Sequence, residues 1–154
     1  MLELLIQNAR IEGETSAMDI GIQNGKIAII QKDINSASTK RYDANSNFVC
    51  SGFYESHIHL DKACILDRCT IEEGTLDEAV EQTGKAKKDF TEEDVYTRAS
   101  RVVEMAIKKG TLGLRTFVET DPKTGLRSFE AIKKVRERYA FAIDIEICAF
   151  AQRA

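Results

Sequence analysis

From residue 48 onward the chain alternates short β-forming runs with longer helical ones, and few folds accept that order. Phe48 to Ser56 reads as a strand. Residues 62–74 read as an irregular loop, and Thr75-Leu76-Asp77-Glu78 is a capping-box sequence opening a helix to about Lys88. Thr91-Glu92-Glu93-Asp94 opens a second helix, with Val95, Ala99, Val102, Val103, Ala106 and Ile107 at helical spacing. Lys108 and Lys109 suit the negative end of its dipole, and Gly110 stops it. Leu112 to Glu119 is the next strand, Asp121 to Gly125 a turn, and Ser128 begins a helix carrying Phe129, Ile132, Val135 and Tyr139 on one side. Phe141 to Phe150 is the last strand. The order β-α-α-β-α-β calls for parallel strands joined by right-handed crossovers. A complete (β/α)8 barrel needs ~250 residues. The 154 residues here accommodate three strands, about three-eighths of such a TIM-type barrel.

The first 48 residues read differently. Leu2, Leu4 and Ile6 alternate with more polar neighbours. Ala17 to Gln23 and Lys26 to Ile30 flank Asn24-Gly25, which supplies the two positive-φ positions of a type I′ hairpin turn. A short strand is expected around Arg41 to Ala44. The expected organisation is therefore a small β unit over residues 1–48 and an α/β unit over residues 49–154.

The segment Phe53-Tyr54-Glu55-Ser56-His57-Ile58-His59-Leu60-Asp61 contains both histidines of the chain. On a strand, residues two apart share a side, so Glu55, His57, His59 and Asp61 are expected together. Neutral imidazole ligates Zn2+ or Fe2+, and two such rings flanked by carboxylates make half of a metal site. A catalytic zinc takes three protein ligands and leaves a position open, and the chain has no third histidine. Taken alone, the pair also fits a hydrogen-bonded strand end.

Strand parity extends this pattern. Arg115, Phe117 and Glu119 share one side of their strand, against Leu114, Thr116 and Val118. Asp144, Glu146, Cys148, Phe150 and Gln152 share a side of theirs, against Ile143, Ile145, Ile147 and Ala149. A polar side repeated on three strands fits a functional interior, or carboxylates that neutralise Arg115 and Lys62.

Three segments together resemble the amidohydrolase superfamily, in its cytosine deaminase branch. Residues 52–63, Gly-Phe-Tyr-Glu-Ser-His-Ile-His-Leu-Asp-Lys-Ala, resemble its first-strand motif. Residues 110–119 and 147–152 resemble its second and third strand motifs. The resemblance implies a metal-dependent hydrolase of C–N bonds in cyclic amidines or amides, adding water and releasing ammonia, on a small cyclic nitrogenous substrate such as cytosine. It implies one divalent ion, Zn2+ or Fe2+, held in part by His57 and His59. Gln152 matches the glutamine that hydrogen-bonds the substrate's amide edge, and Asp61 and Glu55 stand as possible supports behind the ligands. The β unit would be part of a β-sandwich. Phe117 stands where the family has a histidine. The family's remaining ligands, a histidine and an aspartate, and its proton-transferring glutamate and histidine come from later strands. The expectation is thus an N-terminal portion of such an enzyme, inactive alone, with no proton-transfer residue within the chain.

Composition narrows the rivals. With 43% hydrophobic and 31% charged residues and a net charge of −3, the chain is ordinary for a globular protein. It has no basic stripe for nucleic acid and no apolar run of membrane-spanning length. The N-terminus lacks the pattern of a signal peptide, so a cytoplasmic setting with reduced cysteines is expected. Cys64 and Cys69 with the histidines offer an alternative structural zinc site. A further alternative is a non-catalytic folding or oligomerisation unit, since an unpaired strand edge invites pairing with another copy.

Overall fold

The computed structural model describes residues 1–151. Among them the chain separates into two compact units, one over Met1–Ser51 and one from Gly52 onward.

The first unit is a four-stranded sheet. Its strands are β1 (Leu2–Ala9), β2 (Met18–Gln23), β3 (Lys26–Gln31) and β4 (Ser38–Asp43), in the order β3-β2-β1-β4. Asn24 and Gly25 take φ of 53° and 67°, the two left-handed conformations that a type I′ turn requires. The strand expected near Arg41 is β4, which runs parallel to β1. Leu2, Leu5 and Ile34 form one small core, and Ala9, Ile20 and Ala44 another. Asp19 is buried with its charge satisfied by the backbone amides of Asn8 and Ile34, at 3.0 and 3.1 Å. Phe48 bridges to Arg10 within this unit. The strand expected to start there consequently begins later, at Phe53.

The second unit is mixed α/β. Strands β5 (Phe53–Ile58), β6 (Thr111–Thr120) and β7 (Asp144–Ala151) are parallel, in the order β5-β6-β7. Helices α1 (Leu76–Ala86) and α2 (Glu92–Lys108) connect the first pair, and α3 (Arg127–Tyr139) connects the second. Val95, Ala99 and Val103 of α2 and Ala131, Ile132 and Val135 of α3 are buried with Leu114, Val118 and Ile145 of the sheet. Leu114, Thr116 and Val118 are buried while Arg115 is exposed, the parity read from the sequence.

The opposite face of this sheet carries Tyr54, Arg115 and Phe117. A Cβ on Gly113 would fall 2.4 Å from the Tyr54 ring, so the absence of a side chain there is what lets the ring cross β6. Arg115 is neutralised by Glu146 at 2.8 Å, one strand over.

The helix starts follow their caps. Thr91 Oγ1 accepts from the Asp94 amide at 3.1 Å and Thr75 Oγ1 from the Glu78 amide at 3.2 Å. The Glu78 carboxylate accepts from the amides of Glu72, Glu73 and Gly74, at 2.6, 3.0 and 2.7 Å. Those bonds hold its carboxyl below the usual carboxylate range. Glu78 thereby folds the preceding loop onto the helix start.

Candidate functional site

The segment 53–61 does not run as one strand. Relative to β6, β5 carries an extra residue between the pairs Glu55–Leu114 and Ile58–Thr116. Such a bulge re-aims side chains. Tyr54 and His57, three apart, both come to lie on the face bearing Phe117: the His57 imidazole stacks on the Phe117 ring at 4.4 Å and 27°. Glu55, two residues from His57, turns its carboxylate back to accept from the His57 backbone amide at 2.9 Å and meets no imidazole.

His59 lies just past the strand end. Its ring centroid is 5.4 Å from that of His57, 6.0 Å from Phe117 and 6.5 Å from Phe150. The C-terminal ends of three strands thus bring two imidazoles and two phenyl rings together. His59 Nδ1 is buried and has no hydrogen-bond partner among the described residues. Burial lowers the pKa of this imidazole, the Lys62 ammonium lowers it further, and Asp61, the Phe117 carbonyl and Glu119 oppose the shift. The neutral ring, the form that ligates metals, is favoured.

Asp61 departs from the expected face. A 3-10 turn over Leu60–Lys62 ends the alternation, and Asp61 is 1% exposed. Its Oδ2 accepts from the Glu119 backbone amide at 3.0 Å, and its Oδ1 is buried without a partner among the described residues. Burial raises the Asp61 carboxyl above its usual value, against the Glu119 amide bond and Lys62. The adjacent Leu60 amide donates to Thr116 Oγ1 at 3.1 Å.

Charged groups that the sequence did not single out hold this turn in place. Arg98 of α2 is buried and donates to the carbonyls of Asp61 and Ala63 at 3.1 and 2.6 Å. Its other nitrogens bind Asp94 at 3.1 and 2.9 Å, and its guanidinium sits 4.4 Å above the Phe90 ring. Glu119, 3% exposed, is clamped between the ammonium groups of Lys62 and Lys87. Lys87 also reaches Asp121 at 3.2 Å. Burial alone would raise the Glu119 carboxyl, but the two lysines carry it below its usual value. The partners of Glu119 lie far away in sequence; the expectation that carboxylates neutralise Lys62 anticipates one of them, and nothing in the sequence signalled Lys87.

A cleft of about 440 Å3 lies beside the turn, between residues 62–71 and α1, lined by Lys62, Cys64, Ile65, Cys69 and Ala79 among others. Its thiols are unbridged: Cys64 is exposed and Cys69 half-buried. Among the described residues no three His, Cys, Asp or Glu side chains converge as metal ligands. Gln152 lies outside the described residues. The observed donors fit a divalent ion as two of its ligands: two adjacent imidazoles, one neutral by preference and with a buried free nitrogen.

No family model matches the chain. Its homologues and structural neighbours are members of the amidohydrolase superfamily. N-isopropylammelide isopropyl amidohydrolase of Pseudomonas sp. (strain ADP) is 32% identical over 155 residues, which cover 97% of this chain and 38% of that protein. The structure of 5-methylcytosine deaminase from Klebsiella pneumoniae with 5-fluorocytosine matches with a TM-score of 0.84 at 29% identity, over 95% of this chain and 36% of that one. An atrazine chlorohydrolase from Arthrobacter aurescens, solved with zinc, shares the fold at a TM-score of 0.73 and 16% identity, over 95% of this chain and 35% of that one. The chain therefore spans little more than a third of the length of these relatives. Among the described residues, no helix is long and apolar enough to cross a membrane.

Proposed function

We propose that the chain is part of a metal-dependent, deaminase-like hydrolase that adds water to a C–N centre of a cyclic amidine or amide, with cytosine-like rings as the substrate class. The observation that carries this reading is the pairing of His57 and His59 at one sheet edge, in a chain related to enzymes named for such chemistry. In this reading the three parallel strands are the start of a (β/α)8 barrel, the first unit is part of a β-sandwich, and the setting is cytoplasmic.

His57 and His59 would hold the ion, Zn2+ or Fe2+. A divalent ion in such a place supplies Lewis acidity, making water nucleophilic near neutral pH. The chain's own residues do the rest of what this part contributes. Phe117 stacks on the His57 ring, and Phe150 stands edge-on to His59. The turn bonded by Arg98 and Asp61 fixes where His59 stands. Gln152 contacts the amide edge of the substrate ring. In this reading the further ligands and the proton-transferring groups are those that the resembling family takes from its later strands.

The test is elemental analysis of the purified protein and of a His57→Ala/His59→Ala double variant. Stoichiometric metal that disappears in the variant supports the reading, and no metal in either overturns it. A second reading, a non-catalytic unit that oligomerises through an open strand edge, rests on β5 and β7 each having a single partner strand among the described residues. Light scattering that finds a clean monomer at high concentration removes it.

A further inference from the structure

Metal-bound histidines are ordinarily oriented by a hydrogen bond from the second ring nitrogen to a carboxylate or carbonyl. Here the nearest carboxylate to His57 in sequence, Glu55, is spent on the His57 backbone amide. One oxygen of the Asp61 carboxylate is taken by the Glu119 amide, and the other has no hydrogen-bond partner among the described residues. What touches the His57 ring is Phe117, stacked at 4.4 Å and 27°. The same phenyl ring lies 6.0 Å from His59. Phe117 is half-buried on β6, a strand paired on both sides, so its backbone is fixed on both flanks.

We infer that Phe117 is a positioning residue for the metal pair: its ring holds the His57 imidazole by face stacking, doing by contact what a hydrogen bond usually does. A near-parallel stack restricts rotation about the ring's own bond to Cβ, which is the rotation that swings the nitrogens away from a shared ion. A phenyl ring offers no donor or acceptor, so it orients His57 without competing for the metal. Leucine at this position fills similar space and orients nothing. Tyrosine keeps the stack. The inference rests on the metal reading of His57 and His59, and its test separates the two.

The two histidines are the only ones in the chain, so their imidazole resonances are assigned by single His→Gln replacements. In the metal-free chain, the His57 ring protons are shifted upfield by the Phe117 ring current, and the shift vanishes in Phe117→Leu but persists in Phe117→Tyr. In a Zn2+ titration followed on both imidazoles, Phe117→Leu weakens binding about tenfold, the usual cost of losing an orienting partner, and Phe117→Tyr stays within about twofold. Thermal unfolding of the three proteins confirms that all fold. Equal zinc affinity in the wild type and Phe117→Leu overturns the inference while leaving the metal pair intact. An unshifted His57 ring in the metal-free wild type overturns it regardless of metal. Failure of the wild type to bind zinc, with the ring-current shift present, defeats the metal reading and with it any positioning role.

Discussion

The Asp61 carboxylate accepts a hydrogen bond from the backbone amide of Glu119 at 3.0 Å, joining the turn after the histidines to the end of the neighbouring strand. Fifty-eight residues separate the two in sequence. Asp61→Ala leaves that amide buried without a partner, and destabilisation of about 2 kcal/mol is expected in urea unfolding. Asp61→Asn keeps an acceptor and should cost less than half as much. Equal losses in the two variants would show that the bond is not what matters.

Glu119 is held by two lysines in a nearly water-free place. Removing one partner of a buried ion pair is far costlier than removing both. Glu119→Gln is therefore expected to cost about 3 kcal/mol, and Lys62→Met/Glu119→Gln to recover part of it. A double-mutant cycle on denaturant midpoints measures the coupling.

Arg98 grips two carbonyls of the histidine-bearing turn while pairing with Asp94. A lysine has one point charge and cannot span these partners. Arg98→Lys should destabilise the chain by about 2 kcal/mol and speed amide exchange in residues 60–64 more than in α3. Uniform acceleration across both would count against a local role.

Asp94 receives Arg68 at 2.6 and 3.0 Å as well as Arg98, and these bonds bring its carboxyl down from 3.8 to about 2. A depressed carboxylate stabilises the fold above its unfolded value and loses that contribution as pH falls. Stability should therefore decline between about pH 4 and 2. After screening by nearby solvent the contribution is about 1 kcal/mol. Asp94→Asn should remove this part of the acid limb in thermal melts from pH 5 to 2.

Much of this was legible in the sequence. Asn24-Gly25, Thr91 and the Leu114, Thr116, Val118 alternation work through local chemistry, and each is where the residues put it. The site was legible only in part. Period-two alternation carried His57 and His59 to one side but ran on to Asp61, because nothing local marks the 3-10 turn at Leu60. Phe48 reads as a strand start because its bridge to Arg10 is a distant contact. Arg98 and Lys87 look like solvated helix residues until the chain folds around them.

The extra residue between Glu55 and Ile58 has a consequence for changes of length. It reverses the phase of the side chains, so that Tyr54 and His57 emerge on one face although an odd number of steps separates them. Exchanging Ser56 for another residue leaves that phase alone. Deleting it would remove that extra residue and send one of the two rings through to the helical side. At this point the fold counts peptide units rather than reading side chains, and the imidazole pair depends on the count.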